Sequence, residues 1–297
     1  MSTKFKALLA LLATVFLWSL LVVIARGTVV NVRPMTLLFL RLLVAAIAFT
    51  PLFISRKPWK NSAFAQLTGV SLLSTINLVF FMWGIQYTTA SASQLIYAAM
   101  PILIIVISTL FLKENYPLRK ILGILIGLLG IIFIIYLSAA EKGTTITGTL
   151  IGNLAMVIAM TGWMLYILST KKLSKIFSPV EIGSVSIIVS FIISIPLFLV
   201  EIIWLKAPLS IPMSGIWSAI YMGFFGTFLT YLLHQYAIKN TSPLTVSLTS
   251  YIQPITTTIL AVILLGEKIT VNFLLGASIV FSGIFLATTL EVYHRRK

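Results

Sequence analysis

The chain has 297 residues, of which 59% are hydrophobic and 9% are charged, and its mean hydropathy is +1.10. This composition excludes a soluble domain, which carries about 25% charged residues. The net charge of +15 does not indicate nucleic-acid binding, because Lys and Arg form short clusters between long apolar runs, as in membrane-protein loops. The sequence has no cysteine and no clustered metal ligands, so we expect neither disulfides nor a metal or other cofactor.

Ten stretches of the chain are long and apolar enough to cross about 30 Å of hydrocarbon as helices. Lys4 and Lys6 precede the first stretch, which we interpret as an uncleaved span because no convincing signal-peptide cleavage site follows it. The stretches, numbered here as spans 1 to 10, cover residues 7–25, 34–54, 63–86, 90–112, 119–139, 147–169, 180–200, 214–237, 243–265 and 270–290. Proline, which is tolerated at a helix start, stands near four of these starts, at Pro34, Pro117, Pro179 and Pro243.

The distribution of positive charge predicts the orientation of the spans. Of the 21 Lys and Arg residues, fifteen lie on the side of the N-terminus, five lie on the other side, and Arg41 falls within span 2. Loops rich in Lys and Arg remain in the cytoplasm. We therefore expect a multi-pass protein of a cell membrane, the inner membrane of a bacterium, with both termini in the cytoplasm.

The chain also contains an internal repeat. A shift of 145 residues brings Trp18 onto Trp163 and Pro34 onto Pro179. A shift of 153 residues aligns four further pairs: Pro101 with Pro254, Glu114 with Glu267, Gly123 with Gly276, and Gly130 with Gly283. Each half has an odd number of spans, so the second copy enters the membrane from the opposite face. We predict an all-α membrane protein whose ten transmembrane helices form two inverted five-helix repeats, residues 1–142 and 143–297, around a central cavity.

These features resemble the drug/metabolite transporter superfamily and, within it, the ten-span EamA-type family. The resemblance rests on the two five-span halves, the Trp and Pro pairs, the Glu after spans 4 and 9, and the Gly-rich spans 5 and 10. It implies a transporter in which spans 1, 3, 4, 6, 8 and 9 line a cavity and spans 5 and 10 are peripheral. Small four-span members of the superfamily carry a Glu in the first helix. Span 1 has none, which argues against proton antiport of organic cations.

Polar and aromatic side chains within the spans are the candidates for solute binding. A polar group inside a bilayer is costly, so each one suggests a function, although many only join helices. Several share a helical face, such as Asn77 with Phe81 and Gln94 with Tyr97. The candidates are Trp18, Arg41, Asn77, Phe81, Gln94, Tyr97, Trp163, Tyr166, Thr230, Tyr231, His234, Ser250, Tyr251 and Gln253.

Pro101 and Pro254 are the candidate hinges. A proline at position i cannot donate to the carbonyl at i−4, so each leaves an acceptor, at Tyr97 or Ser250, on the proposed cavity face. Such an acceptor is tolerated in a membrane where it meets water or solute. A purely structural kink is the alternative.

Arg41 and His234 each have two interpretations. Arg41 lies about two turns from the outer end of span 2, where it either extends to the interface or binds a carboxylate or phosphate. His234 either titrates near neutral pH or packs between helices.

For Glu114 and Glu267 we expect pairing with nearby Lys or Arg. The glycines of spans 5 and 10 predict close helix contact, within or between protomers.

Taken together, the residues favour a secondary transporter that exports a small metabolite by alternating access. The mixture of aromatic, amide and hydroxyl groups suggests a neutral or zwitterionic amphipathic solute such as an amino acid. The alternative is an importer or exchanger of an organic anion or nucleotide-like metabolite that uses Arg41. A membrane enzyme would need a reactive cluster that the sequence does not supply, and a passive channel would not need paired halves. The expected partners are the solute, the lipid bilayer and, if the protein is a homodimer rather than a monomer, a second copy.

Overall fold

The computed structural model describes residues 2–101, 148–205, 211–241 and 249–288, together with Val246 and scattered residues between 103 and 133. Almost all of this part is helical. Spans 1, 2 and 3 are the helices Thr3–Thr28, Pro34–Arg56 and Phe64–Gly84. Span 4 begins with the helix Ala90–Tyr97. Spans 6 to 10 are the helices Leu150–Leu173, Pro179–Trp204, Met213–Asn240, Thr249–Leu265 and Val271–Thr288. The described residues of span 5 are helical as well.

Six of these helices are long and apolar enough to cross a membrane, namely those of spans 1, 2, 3, 6, 7 and 8. Within spans 9 and 10, shorter apolar helices cover Ile252–Leu265 and Phe273–Gly283. Large apolar side chains such as Ile47, Trp204 and Phe285 point outward, as expected where hydrocarbon rather than water surrounds the helices. The chain is therefore an all-α, multi-pass membrane protein.

Two of the predicted helix starts have the expected local chemistry. Pro34 and Pro179 are the first residues of their helices. At span 7 the Ser178 hydroxyl accepts from the backbone of Glu181, whose carboxylate accepts from the backbone of Ser178. This reciprocal capping box fixes where the helix begins. Pro117 and Pro243 lie outside the described residues.

The contacts between spans follow the predicted repeat. For each contact described below, the contact between the equivalent spans of the other half is also present. Span 3 packs on span 6 and span 8 on span 1, while spans 2 and 7 pack together, as do spans 4 and 9. Hydroxyl groups bridge spans 3 and 7, with Thr75 Oγ1 and Ser190 Oγ 2.8 Å apart and Ser71 Oγ and Ser186 Oγ 3.2 Å apart. The contacts leave a central space enclosed by helices from both ends of the chain.

The two candidate hinges differ. In span 4 the helix ends at Tyr97, a turn follows at Ala98 and Ala99, and helix resumes at Met100. This interruption lies one turn before Pro101, where the proline cannot donate to the preceding turn. In span 9 the helix continues through Pro254 without a break.

The glycines of spans 5 and 10 allow these helices to touch within one chain. A methyl group added at Gly283 would lie 2.6 Å from the carbonyl oxygen of Gly123, and one added at Gly130 would lie 2.8 Å from the backbone nitrogen of Val280. No side chain fits at such distances. The small residues therefore serve a close contact between helices of the same protomer.

Candidate solute-binding cavity

A cavity of about 70 Å³ lies between the two halves, large enough for several water molecules. Spans 1, 3, 4, 6, 8 and 9 all contribute to its wall, and span 2 contributes Arg41. The lining side chains are Trp18, Leu21, Val22, Arg41, Asn77, Leu78, Phe81, Gln94, Tyr97, Met100, Trp163, Ile167, Tyr231, His234, Val246 and Gln253. The wall thus combines aromatic and aliphatic surface with amide groups, hydroxyl groups and one guanidinium.

Three rings from spans 1, 6 and 8 form an aromatic cluster in this wall. Trp18 and Trp163 meet edge to face with ring centroids 5.4 Å apart, and the His234 ring lies 4.9 Å from Trp18 and 5.1 Å from Trp163. The indole N–H of Trp18 donates to the carbonyl oxygen of Gly226 over 3.1 Å. This bond fixes one ring, and the mutual packing fixes the others, so the cluster presents preorganised apolar faces.

Asn77 and Tyr97 form a second, polar part of the wall. The Asn77 side-chain amide donates to the Tyr97 hydroxyl at 2.6 Å and to the carbonyl oxygen of Ala159 at 2.9 Å. Nearby, the Tyr231 hydroxyl lies 2.6 Å from the Ser74 hydroxyl. These bonds connect spans 3, 4, 6 and 8, and they satisfy polar groups that would otherwise be costly inside the membrane.

Arg41 points into the bundle and is only 3% exposed. Its Nε donates to the hydroxyl oxygen of Thr227 over 2.7 Å, and its Nη1 has no hydrogen-bond partner among the described residues. The interpretation in which Arg41 extends to the membrane interface is therefore wrong. The physical reason is that the Thr227 hydroxyl of span 8 is within reach of Arg41 inside the bundle, so the guanidinium binds there instead of at the interface.

That acceptor depends on a π-helical turn. Span 8 is α-helical over Met213–Gly223, π-helical over Phe224–Leu229 and α-helical again from Thr230. Within the turn, the Thr227 hydroxyl donates to the carbonyl oxygen of Met222, five residues earlier. The same turn supplies the Gly226 carbonyl that holds Trp18. π-helical turns inside α-helices often occur at functional sites, and this one orients two cavity residues.

The structure brings most of the predicted site residues together, but not all of them. Tyr166 lies behind the wall, where its hydroxyl is 2.8 Å from Ser186 Oγ and accepts from Gln235 over 2.9 Å. Thr230 is buried and donates to its own helix, at Gly226. The side chains of Ser250 and Tyr251 lie outside the described part, although their backbone is helical. The predicted residues that line the cavity are Trp18, Arg41, Asn77, Phe81, Gln94, Tyr97, Trp163, Tyr231, His234 and Gln253.

Glu201 and Glu267 bind helix N-termini on the predicted outer side. The Glu201 carboxylate accepts from the backbone and hydroxyl of Thr36 at 2.7 and 2.8 Å, at the start of span 2. The Glu267 carboxylate accepts from the backbone of Ala90 at 2.9 Å and the hydroxyl of Ser91 at 2.6 Å, at the start of span 4. The expected pairing of Glu267 with Lys or Arg is thus replaced by a helix N-terminus, whose N–H groups attract an anion. Glu114 lies outside the described residues.

A family model described as the EamA-like transporter family matches residues 5–136 and 150–289. The chain is 26% identical over 259 residues to an uncharacterized transporter of Clostridium kluyveri, covering 84% of this chain and 82% of that protein. It is 23% identical over 297 residues to the uncharacterized transporter YoaV of Bacillus subtilis, covering 98% and 99% of the two chains. It is 25% identical over 296 residues to a WAT1-related protein of Arabidopsis thaliana, covering 89% and 84%.

The fold also matches a solved structure. A crystal structure with 18% sequence identity superimposes with a TM-score of 0.67 and covers 96% of both chains. At this identity the likeness establishes the architecture alone.

Proposed function

The chain belongs to the EamA-like transporter family, and we propose that it moves a small amphipathic metabolite, neutral or zwitterionic, through the central cavity. An amino acid with an apolar side chain is an example of such a solute. Its relatives carry the name of transporter, which agrees with a transport role rather than an enzymatic one.

The main observation in support of this proposal is the aromatic cluster of Trp18, Trp163 and His234. Its ring centroids lie within 5.4 Å of one another in the cavity wall, and Gln94 and Gln253 line the same cavity. Flat apolar faces bind the carbon skeleton of a solute, and amides next to them bind its polar groups. A sugar would need more hydrogen-bonding groups, and a highly charged solute would need more counter-charges.

We propose that transport proceeds by rocking of one half against the other. Glu201 and Glu267 each join a span of the second predicted half to the N-terminus of a span in the first. Opening on the predicted outer side requires these contacts to separate, with Pro101 and Pro254 as candidate hinges. The charge distribution supports cytoplasmic termini, and the resemblance to exporters within the family supports export.

Arg41 gives the second candidate function, transport of an organic anion. Its unpaired Nη1 favours a solute with an acidic group. Among the described lining residues it is the only cationic side chain, so a nucleotide-like solute with several phosphate charges receives little support.

A metabolite panel tests the proposed function. Purified protein is screened for solutes that raise its melting temperature, and the positive solutes are then measured for flux in proteoliposomes and protein-free vesicles. Apolar amino acids are expected to stabilise the protein and to cross only the vesicles that contain it. Flux of sugars or nucleotides without flux of any neutral or zwitterionic amphipathic solute would contradict the proposal.

A further inference from the structure

We propose that Arg41 binds the carboxylate of the transported solute, so that the substrates are small carboxylates with an apolar body, amino acids included. This rests on the proposed transport through the central cavity, and it specifies that the solute, a zwitterion or an organic anion, carries a carboxylate. The observation behind it is a buried cationic donor, Nη1 of Arg41, that lines the cavity and has no partner in the described part of the chain.

The burial of Arg41 requires a counter-charge. A charged side chain at 3% exposure within a membrane bundle is strongly unfavourable unless it is paired. The three glutamates that the structure describes are engaged elsewhere. Glu201 and Glu267 bind helix N-termini, and Glu181 belongs to the capping box of span 7. A carboxylate that enters the cavity supplies the missing partner.

Thr227 holds the guanidinium in a fixed position. Its hydroxyl proton is committed to the Met222 carbonyl, so its oxygen is left to accept from Arg41 Nε. Gly223 permits this approach, because a methyl group there would lie 2.6 Å from the Arg41 carbonyl oxygen. A guanidinium anchored through Nε presents its remaining N–H groups in one plane, which suits the planar carboxylate.

The other cavity groups complement the rest of such a solute. Gln94 Oε1 is buried and has no hydrogen-bond partner in the described part, so it is available to a solute ammonium. Trp18 and Trp163 offer aromatic faces to an apolar side chain. Donor cation, acceptor oxygen and aromatic surface together match an amino acid zwitterion.

The single positive charge argues for a carboxylate rather than a phosphate. A phosphate monoester carries about −1.5 to −2 charges at neutral pH, whereas Arg41 is the one cation among the described residues of the wall. One guanidinium balances one carboxylate.

Five probes with the same phenyl group test the inference: L-phenylalanine, L-phenylalaninamide, 3-phenylpropionate, phenethylamine and phenyl phosphate. Binding is measured on the purified full-length protein and flux in proteoliposomes. The two carboxylates are expected to bind about tenfold more tightly than the amide and the amine, because a charge-assisted bond to Arg41 is lost in the latter. Arg41→Gln is expected to remove this preference, because the two carboxylates then lose their charge-assisted bond.

Three further variants serve as controls. Arg33→Gln removes an exposed positive charge immediately before the same helix and is expected to retain the preference. Arg41→Lys keeps the positive charge and is expected to retain part of the preference for carboxylates. Thr227→Val removes the acceptor that anchors Nε and is expected to weaken this preference. Arg41→Gln itself should melt no lower than the wild type, since it removes an unpaired buried charge. If Arg41→Gln does not fold, the loss of the carboxylate preference is measured in Arg41→Lys and Thr227→Val instead.

The outcomes separate this inference from the proposed function. Equal binding of phenylalanine and its amide, a preference that persists in Arg41→Gln, or a preference for phenyl phosphate would overturn the carboxylate site while transport stands. Carboxylate binding through Arg41 without any flux would overturn the transport proposal and leave the site intact. Neither binding nor flux of any probe would overturn both.

Discussion

Trp18 and Trp163 meet edge to face with their ring centroids 5.4 Å apart. They are 145 residues apart in the sequence, the same shift that relates Pro34 to Pro179. Two equivalent residues that touch each other must lie near the axis that relates the two halves. The cavity wall that they form therefore belongs to both halves, and the proposed rocking of the halves would change it directly.

Replacing Trp163 by Ala is expected to lower transport by about tenfold or more, because the ring loses its contacts with Trp18 and His234, each worth about 1 kcal/mol. Initial flux rates in proteoliposomes measure this effect. Trp217→Ala provides the matched control, since this Trp is 64% exposed on the outer surface of span 8. Equal rates in both variants would remove the cluster from the transport site. Trp163→Phe keeps a ring and should retain more activity if Trp163→Ala folds poorly.

Tyr97→Phe is expected to reduce solute affinity while costing about 1 kcal/mol of stability, the usual value of one hydrogen bond. The change removes the hydroxyl that accepts from Asn77 over 2.6 Å and leaves the ring in the cavity wall. The concentration of half-maximal flux measures the affinity, and thermal unfolding measures the stability. Tyr87→Phe is the control, because that ring is 40% exposed near the outer end of span 3. Unaltered affinity in Tyr97→Phe would show that the hydroxyl does not contact the solute.

Gly223→Ala is expected to destabilise the protein by about 2 kcal/mol through overpacking. Its added methyl group would lie 2.5 Å from Val44 Cβ and 2.6 Å from the Arg41 carbonyl oxygen, so spans 2 and 8 would have to separate. Gly69→Ala is the matched control: nothing lies within 4 Å of its added methyl group, and helix propensity favours Ala by about 1 kcal/mol. Thermal unfolding in detergent compares the two. A neutral Gly223→Ala would contradict the close packing of these spans.

Replacing Glu201 and Glu267 together by Gln is expected to favour the state that is open on the predicted outer side. Each change removes a negative charge from a helix N-terminus and weakens hydrogen bonds worth about 1.5 to 3 kcal/mol. The chain has no native cysteine, so Leu78→Cys in the cavity wall provides a single reporter thiol. Its reaction with an impermeant thiol reagent added outside should be faster in the double variant. Glu181→Gln, which affects only the capping box of span 7, should leave this rate unchanged.

The spans could be predicted from the sequence because the membrane imposes a length and an apolar surface on each helix. Residues 34–54 and 180–200 were expected to be helical, and the helices are Pro34–Arg56 and Pro179–Trp204. Asn77, Gln94 and Tyr97 could also be placed in the cavity, since they lie in α-helical parts of spans 3 and 4, where regular spacing indicates a face. The boundary between the two repeats remains a prediction.

The sequence could not predict features that depart from regular helical spacing. The π-helical turn at Phe224–Leu229 interrupts the α-helix of span 8, and its Thr227 hydroxyl accepts from Arg41. Tyr166, one turn from Trp163, packs away from the cavity because Ser186 and Gln235 offer it partners. Such partners belong to other spans and cannot be inferred from the spacing within one.

The most direct test of transport through this cavity uses the Leu78→Cys variant in proteoliposomes. An impermeant thiol reagent should react with it from either face, a transported solute should slow the reaction, and the completed modification should stop flux. The same reagent should leave the flux of the cysteine-free wild type unchanged. Full flux after complete modification, or a reaction rate indifferent to saturating transported solute, would contradict the placement of the transport route between the two halves.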